Sequence, residues 1–261
     1  ALSSPLLPHT MEPTRSTMPK PTASFQYKTP SRRLSLSTIR CAIIRTGSIS
    51  SWKTGTSRVF RTGAYGRSLR RADRIIAISE FTRRTLIEVC TVPAEKVVTV
   101  PLGTPVRETQ EVEPMRRPGG PYLYYPAASY AHKNHLALLR AMATLRREGK
   151  LGVRLVLTGQ RTAYLGRIER EIRRLGLGDA VEHLGFITPA EVRRVFAGAH
   201  TVVFPSRFEG FGLPIVEAVS LGKRVVTSRL PVFDEIGVPR RNQIDFEDPA
   251  QLRDSLALPE P

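Results

Sequence analysis

Short apolar runs that suit β-strands alternate with longer stretches that suit α-helices from residue 121 to residue 228. The runs VRLVLTG at 153–159 and TVVFP at 201–205 are apolar almost throughout, as is typical of strands buried on both faces of a sheet. Strands that alternate with helices of roughly 10–15 residues form βαβ units, whose strands pair in parallel. The sequence therefore predicts an α/β fold, a Rossmann-like parallel sheet with helices on both faces.

The predicted elements begin near residue 73. Strands are expected over 73–79, 96–101, 122–126, 153–158, 181–184, 201–205 and 224–228, and a weak strand over 243–246. Helices are expected over 80–89, 133–148, 163–175, 189–198 and 213–221, with a short helix within 231–242 and another from Pro249. Ser79 is predicted to cap one helix at its start and Gly176 to end another. Thr188 and Glu191 have the spacing of a capping box around a proline at the first helical position.

Residues 103–120 are rich in glycine, proline and charged residues and predict a linker, because they show no apolar period. The one internal domain boundary is placed there, and the different composition of residues 1–70 gives the chain three predicted parts. Residues 1–70 form a basic, Ser/Thr-rich segment that is poorly ordered or a remnant, so that the N-terminal half of the fold is truncated or disordered. Residues 71–120 hold the end of an N-terminal domain with the linker, and residues 121–261 form a second domain.

The formal net charge of +17, from 40 Lys and Arg against 23 Asp and Glu, raises the question of nucleic-acid binding. Most of the excess lies in residues 1–70, which hold 12 basic residues and one acid. That segment lacks regularly spaced aromatic residues for base stacking, and Trp52 is the only tryptophan of the chain. We therefore expect no nucleic-acid partner.

Three interpretations of residues 1–70 stay open. An acid-poor leader rich in Arg and Ser is typical of an organelle transit peptide, and a basic tail is typical of contact with nucleic acid or anionic lipid. The third interpretation is a fragment or a misassigned start, since the chain opens with Ala1. For the arginines between Arg58 and Arg74, contact with a membrane surface stands beside the plainer interpretation of a solvated helix face.

The loop after the strand at 201–205 carries the strongest chemical signal. Gly210 and Gly212 lack side chains and let the backbone approach a ligand closely. The next predicted helix begins there, and its free N–H groups and positive dipole end favour an anion. Glu209 and Glu217 flank this helix start and are placed to hold sugar or ribose hydroxyls. The alternative, equally weighted, is that Glu209 caps the helix and Glu217 is solvated.

Other loops also follow strands, where ligands of such sheets bind. Lys133 opens the next predicted helix, where the dipole disfavours a cation unless the cation faces a bound phosphate; the alternative is an ordinary exposed lysine. His132 beside it is expected to form hydrogen bonds in the loop rather than to act as a base. A base or ribose pocket is expected along two further loops, at Thr158, Gly159, Phe186 and Ile187.

Together these residues resemble a known family. Glu209 and Glu217, with GFGLP between them, look like the E-x7-E signature of retaining, nucleotide-sugar-dependent glycosyltransferases of family 4 (group 1), which have the two-domain GT-B fold. Four further segments occur in the family's order and roughly its spacing: ADRIIAIS at 72–79, HKN at 132–134, LTG at 157–159 and LGF at 184–186. The resemblance covers about residues 70–250, mainly the C-terminal, donor-binding domain.

The resemblance implies roles for these residues. Glu209 would contact the donor sugar and, with Lys133, form the catalytic pair, while Glu217 would hold the nucleotide ribose. The amides of 210–213 would hold the diphosphate, and residues 186–187 would lie by the nucleobase. The donor-binding set implied in full is Glu217, Gly210, Phe211, Gly212, Leu213, His132, Thr158, Gly159, Phe186 and Ile187.

The implied reaction transfers a hexose-type sugar from a nucleotide-diphosphate sugar to a hydroxyl of an acceptor glycan or lipid-linked glycan, with retention. Front-face attack, in which the leaving phosphate takes the proton, implies neither a metal nor a cofactor. The implied location is the cytoplasm, with peripheral contact to the inner face of the membrane. As such a transferase, this chain would be only a fragment of the active enzyme. The alternative is a non-catalytic or degenerate nucleotide-sugar-binding module.

Two departures from the family pattern stand out. Ala127 and Ala128 occupy positions where many members place an arginine, so His132 compensates in part or phosphate binding is weaker. A full member also has an acceptor domain of βαβ units with a Gly-rich loop near its start. Residues 1–70 show no such pattern, and residues 73–103 alone resemble the end of that domain.

Overall fold

The computed structural model describes residues 41–44, 68–69, 71–103, 112–117 and 119–257, with the main chain alone described for 41–44. Every described residue belongs to one compact unit, within Thr38–Pro261. The expectations for the rest of residues 1–70, including those for Arg58, Arg61, Arg67 and Arg70, lie outside the described residues.

A three-stranded parallel sheet comes first along the chain. It contains β1 (Cys41–Ile44), β2 (Arg74–Ala77) and β3 (Val97–Thr99), paired in that order, and helix α1 (Glu80–Glu88) connects β2 to β3. The sequence does not predict β1, because its four residues lie in a Ser/Thr-rich surrounding without an apolar period. Buried side chains of β2, α1 and β3, among them Ile75, form a small core of their own.

A six-stranded parallel sheet forms the larger part of the described structure. Its strands are β4 (Tyr122–Pro126), β5 (Arg154–Thr158), β6 (Val181–His183), β7 (Thr201–Phe204), β8 (Val225–Ser228) and β9 (Gln243–Ile244). The helices are α2 (His135–Arg147), α3 (Leu165–Arg174), α4 (Pro189–Gly198), α5 (Leu213–Ser220), α6 (Pro231–Glu235) and α7 (Pro249–Ala257). The strands lie in the order β6-β5-β4-β7-β8-β9, and each neighbouring pair is parallel.

This arrangement confirms the predicted α/β fold with helices on both faces. The apolar runs at 153–159 and 201–205 form the buried strands β5 and β7, as the near-absence of polar residues predicts. Because the strands are parallel, the loops that follow β4, β5, β6 and β7 all emerge at one edge of the sheet. That edge contains the residues that the sequence singles out.

Local signals begin and end the helices at or within two residues of the predicted positions. The Ser79 hydroxyl accepts a hydrogen bond from Thr82 N–H at 3.0 Å and caps α1. Thr188 and Glu191 form the complete capping box of α4. Gly176 follows α3 in the left-handed region, at φ +65°, as its predicted role requires.

Part of the predicted linker lies against the larger sheet. Residues 112–117 have no helix or strand, and Met115 N–H donates to the carbonyl of Arg194 on α4 at 2.8 Å. The Tyr122 hydroxyl contacts the Met115 carbonyl at 3.0 Å from the other side. Across the parts of the chain that the structure describes, no helix combines the length and the apolar content that crossing a bilayer requires.

Candidate functional site

An ion pair joins the loops that follow β4 and β7. Lys133 Nζ donates to Glu209 Oε1 at 2.6 Å, although the two residues are 76 positions apart in the sequence. Only 18% of the lysine side chain and 11% of the glutamate side chain are exposed. The structure therefore brings together the two residues that the sequence names as a catalytic pair, and it places them in direct contact.

The position of Lys133 differs from the predicted one. A 3₁₀ turn, Ala131–Lys133, follows β4, and Asn134 adopts a left-handed conformation with φ +55° before α2 begins at His135. The prediction that Lys133 opens the helix is therefore wrong. Because left-handed Asn134 separates the 3₁₀ turn from α2, the lysine precedes the helix start rather than lying in its first turn.

A buried tyrosine forms hydrogen bonds with both loops. The Tyr125 hydroxyl donates to the Lys133 carbonyl at 2.8 Å and lies 3.0 Å from Ser206 Oγ, which can donate in return. Burial raises the pKa of Tyr125 well above its ordinary value, and the negative charge of Glu209 raises it further. The hydroxyl therefore stays protonated and neutral. Neither Tyr125 nor Ser206 is recognisable from the sequence as part of this site.

The loop from Glu209 to α5 has the conformation that its glycines permit. Gly212 has φ +105°, and a Cβ atom there would lie 3.2 Å from the Ile215 side chain. Ile215 N–H donates to the Gly212 carbonyl, and Pro214 has no N–H. Gly212 and Leu213 therefore supply the N–H groups at the start of α5, while the Phe211 side chain is buried.

Glu217 lies on α5, about one turn beyond the helix start at Leu213, and is half-buried. Its carboxylate forms no hydrogen bond and no ion pair with any residue that the structure describes. Burial raises the pKa of Glu217, and its charge in turn contributes to the raised pKa of Tyr124 on β4. A partly desolvated carboxylate without a partner is suited to accept hydrogen bonds from a ligand.

Two histidines lie beside Lys133. His132 stacks on Tyr130 with ring centroids 5.7 Å apart, and its carbonyl accepts a hydrogen bond from Arg207 N–H. Burial lowers the pKa of His132, and the Lys133 charge lowers it further, so the imidazole is neutral near pH 7. His135, which the sequence does not single out, is 2% exposed and packs on Tyr125; burial lowers its pKa to about 3.

The loops after β5 and β6 meet the loop after β4 through Gly159. Gly159 has φ +127°, donates its N–H to the Gly185 carbonyl at 2.8 Å, and would place a Cβ atom 2.6 Å from the backbone of Ala127. The Thr158 hydroxyl contacts the Tyr124 hydroxyl at 2.8 Å and is buried. Thr158 thus bonds β5 to β4 at the carboxyl edge of the sheet, and Gly159 allows the loops after β4, β5 and β6 to approach one another closely.

The residues expected near a nucleobase face in different directions. The Phe186 side chain is 87% exposed, whereas Ile187 packs against the core of the larger sheet. Within the described ranges, no group of three or more His, Cys, Asp or Glu side chains has an arrangement that could hold a metal ion. The predicted site residues thus lie along the carboxyl edge, with Lys133 and Glu209 in contact.

Solved structures share this architecture. The chain is similar to Anabaena HepE, solved in complex with UDP and glucose, with a TM-score of 0.60, 20% identity, and coverage of 73% of this chain and 57% of that one. It is also similar to sucrose-phosphate synthase of Thermosynechococcus elongatus, with a TM-score of 0.65, 19% identity, and coverage of 83% and 57%. These likenesses define the fold as that of GT-B glycosyltransferase structures.

Sequence comparison gives the family. Residues 106–257 match the model of the glycosyl transferases group 1, so the chain belongs to that family. Residues 47–108 match the model of glycosyltransferase family 4. That match begins at residue 47, upstream of residue 70, where the sequence motifs placed the start of the resemblance.

Two curated relatives show how much of a longer protein the chain covers. O-antigen chain mannosyltransferase B of Escherichia coli is 29% identical over 177 residues, 65% of this chain and 46% of the relative. The MMP alpha-(1->4)-mannosyltransferase of Mycolicibacterium hassiacum is 27% identical over 192 residues, 74% of this chain and 46% of the relative. The chain thus spans about half the length of these curated relatives.

A double-mutant cycle tests the ion pair. Lys133→Met or Glu209→Gln alone leaves the other charge largely buried without a partner, so each should lower the free energy of unfolding by about 1–3 kcal/mol. The double variant should lose less than the sum, with a coupling of about 1–2 kcal/mol by urea denaturation. The control cycle uses Arg207 and Glu247, an exposed pair at 3.0 Å, whose coupling should stay below about 1 kcal/mol. Equal coupling in both cycles would contradict a buried, energetically coupled pair.

The raised pKa of Glu217 predicts a pH-dependent cost to stability. Folding disfavours the ionised carboxylate of Glu217. The contribution of this side chain to the free energy of unfolding is therefore most favourable below about pH 4.5, and it is lost as the pH rises through the raised pKa. Glu217→Gln removes this dependence. At pH 7 the variant should be more stable than the wild type, and the difference should vanish near pH 4. Unfolding curves across this range measure it; a less stable variant at pH 7 would show that the carboxylate has a stabilising partner.

Proposed function

We propose that the chain forms the donor-binding part of a glycosyltransferase that transfers a sugar from a nucleotide-diphosphate sugar to an acceptor hydroxyl. The observation that carries the proposal is the meeting of Lys133 and Glu209 beside the start of α5, at the carboxyl edge of the parallel sheet. This edge offers a cation, an N-terminal helix dipole and two carboxylates within one group of loops. Membership of the glycosyl transferases group 1 supports it.

In this proposal the diphosphate binds between Lys133 and the start of α5. The lysine supplies a point charge, and the N–H groups of Gly212 and Leu213 supply hydrogen bonds without a side chain in the way. Glu209 then contacts the sugar hydroxyls, and Glu217 the ribose. His132, neutral and stacked on Tyr130, adds a hydrogen-bonding ring beside the phosphates.

The proposed reaction proceeds with retention and without a metal. The bond between the anomeric carbon and the phosphate oxygen breaks, the acceptor oxygen bonds to the same face of the sugar, and the acceptor proton passes to the leaving phosphate. Lys133 and the dipole of α5 stabilise the charge that develops on the diphosphate. The relatives named as mannosyltransferases favour mannose, a hexose, as the first sugar to test.

The two sheets take separate roles in the proposal. Residues 121–261 form the donor domain, and residues 71–120 hold the end of an acceptor-type domain with the linker. An acceptor glycan or lipid-linked glycan fits the name of the O-antigen relative, and such an acceptor would place the protein in the cytoplasm, at the inner face of a membrane. Nucleic acid has no part in it.

Calorimetry with UDP and GDP tests donor binding. The wild-type chain should bind at least one of them, and Lys133→Ala should weaken binding by about 10- to 100-fold, the effect of losing a charge-assisted hydrogen bond. Lys150→Ala is the matched control, since Lys150 pairs with Glu148 after α2 and does not contact these loops. Absence of binding at millimolar nucleotide would overturn the proposal.

Turnover of the donor tests the chemistry. With GDP-mannose or a UDP-hexose, the chain should release or transfer the sugar with its anomeric configuration retained, at a rate that EDTA leaves unchanged. Glu209→Gln should lower that rate by about 10²-fold or more, with NMR of the first product reporting the configuration. An inverted product or loss of activity in EDTA would contradict the mechanism, and binding without turnover would favour a non-catalytic module.

A further inference from the structure

The first turn of α1 contacts the Glu209 loop of the larger sheet. The Gly210 carbonyl oxygen lies 2.7 Å from Ser79 Oγ and 3.2 Å from Thr82 Oγ1, and either hydroxyl can donate to it. The two hydroxyl oxygens lie 2.8 Å apart and form a hydrogen bond with each other, and both side chains are fully buried. Each hydroxyl has one proton, so one hydroxyl donates to the carbonyl while the other donates to its neighbour, and the three oxygens form one hydrogen-bonded cluster. We call Ser79, Thr82 and the Gly210 carbonyl the α1 clamp.

Two further contacts hold α1 against the same region. Glu235 of α6 accepts hydrogen bonds from the N–H groups of Glu80 and Phe81, at 2.5 and 3.1 Å, so its carboxylate lies at the positive end of α1. The Phe81 ring lies 5.9 Å from the Phe208 ring. The loop is therefore held at Phe208 and at Gly210, on either side of Glu209.

The clamp fixes the orientation of one peptide plane. The Gly210 carbonyl and the Phe211 N–H belong to the same trans peptide and point in opposite directions. Since the carbonyl points at α1, the Phe211 N–H points away from it. Gly210 has no side chain to restrict rotation, so loss of the two hydroxyls would let this peptide turn and would loosen the backbone on the C-terminal side of Glu209.

We propose that Ser79 and Thr82 are positioning residues for the donor site, which act by fixing the Gly210–Phe211 peptide and thereby Glu209. The inference rests on the proposed function, because the site they serve is the proposed diphosphate and sugar site. It assigns a role at that site to a helix of the smaller sheet, 131 positions away from the loop in sequence. The two sheets are thus linked at the donor loop itself.

The test compares hydroxyl deletions on α1. Ser79→Ala/Thr82→Val removes both donors, and Thr82→Val alone keeps the Ser79 cap in case the double variant does not fold. Thr85→Val is the matched control, since the Thr85 hydroxyl bonds to the Phe81 carbonyl on the same helix and does not touch the loop. Thr82→Ser keeps the hydroxyl and should behave as the wild type.

Two measurements are made on the full chain: hydrogen exchange of the amides of residues 209–213, and calorimetry with UDP and GDP. We expect exchange about tenfold faster and binding about tenfold weaker in the double variant, a smaller change of both in Thr82→Val, and no change in Thr85→Val or Thr82→Ser. Unchanged exchange, or faster exchange with unchanged affinity, overturns the positioning role. A wild type that binds neither nucleotide instead overturns the proposed function.

Discussion

The buried hydroxyl of Tyr125 joins the two loops on which the candidate site depends. It bonds to the backbone of Lys133 on one side and to Ser206 on the other, and its raised pKa keeps it neutral. Ring contacts with His135 and Phe204 fix the tyrosine in the core. The two charges of the site therefore lie on loops that share a hydrogen-bonded, neutral and packed support.

The three charged side chains of the site differ in how they are paired. Lys133 and Glu209 are largely withdrawn from water and satisfy one another, whereas Glu217 has lost water without gaining a partner among the residues that the structure describes. In the proposed function, an incoming diphosphate would compete with Glu209 for the lysine and would leave the glutamate free to accept hydrogen bonds from hydroxyls. Under that proposal the same pair would serve the phosphate and the sugar ends of one ligand.

The sequence predicts those parts of the fold and site that depend on local chemistry. Ser79, Thr188 and Gly176 act where predicted, because caps are set by a few adjacent residues. The strand at Cys41–Ile44 and the turn before α2 are not predicted, since one depends on pairing with β2 and the other on the conformation of Asn134. Residues far apart in the sequence, such as Ser79 and Gly210, meet only through the tertiary fold, and no local pattern reports such a contact.

Helix α1 belongs to both hydrophobic cores. Its Leu86 is buried in the core of the three-stranded sheet, while Phe81, on the same helix, packs against the core of the six-stranded sheet. Unfolding of either core would therefore remove apolar contacts of α1, and α1 also packs in the other core. Proteins open in contiguous cooperative units, and a helix packed in both cores makes these cores contiguous. The described parts of the two sheets should consequently lose structure in one transition rather than in two.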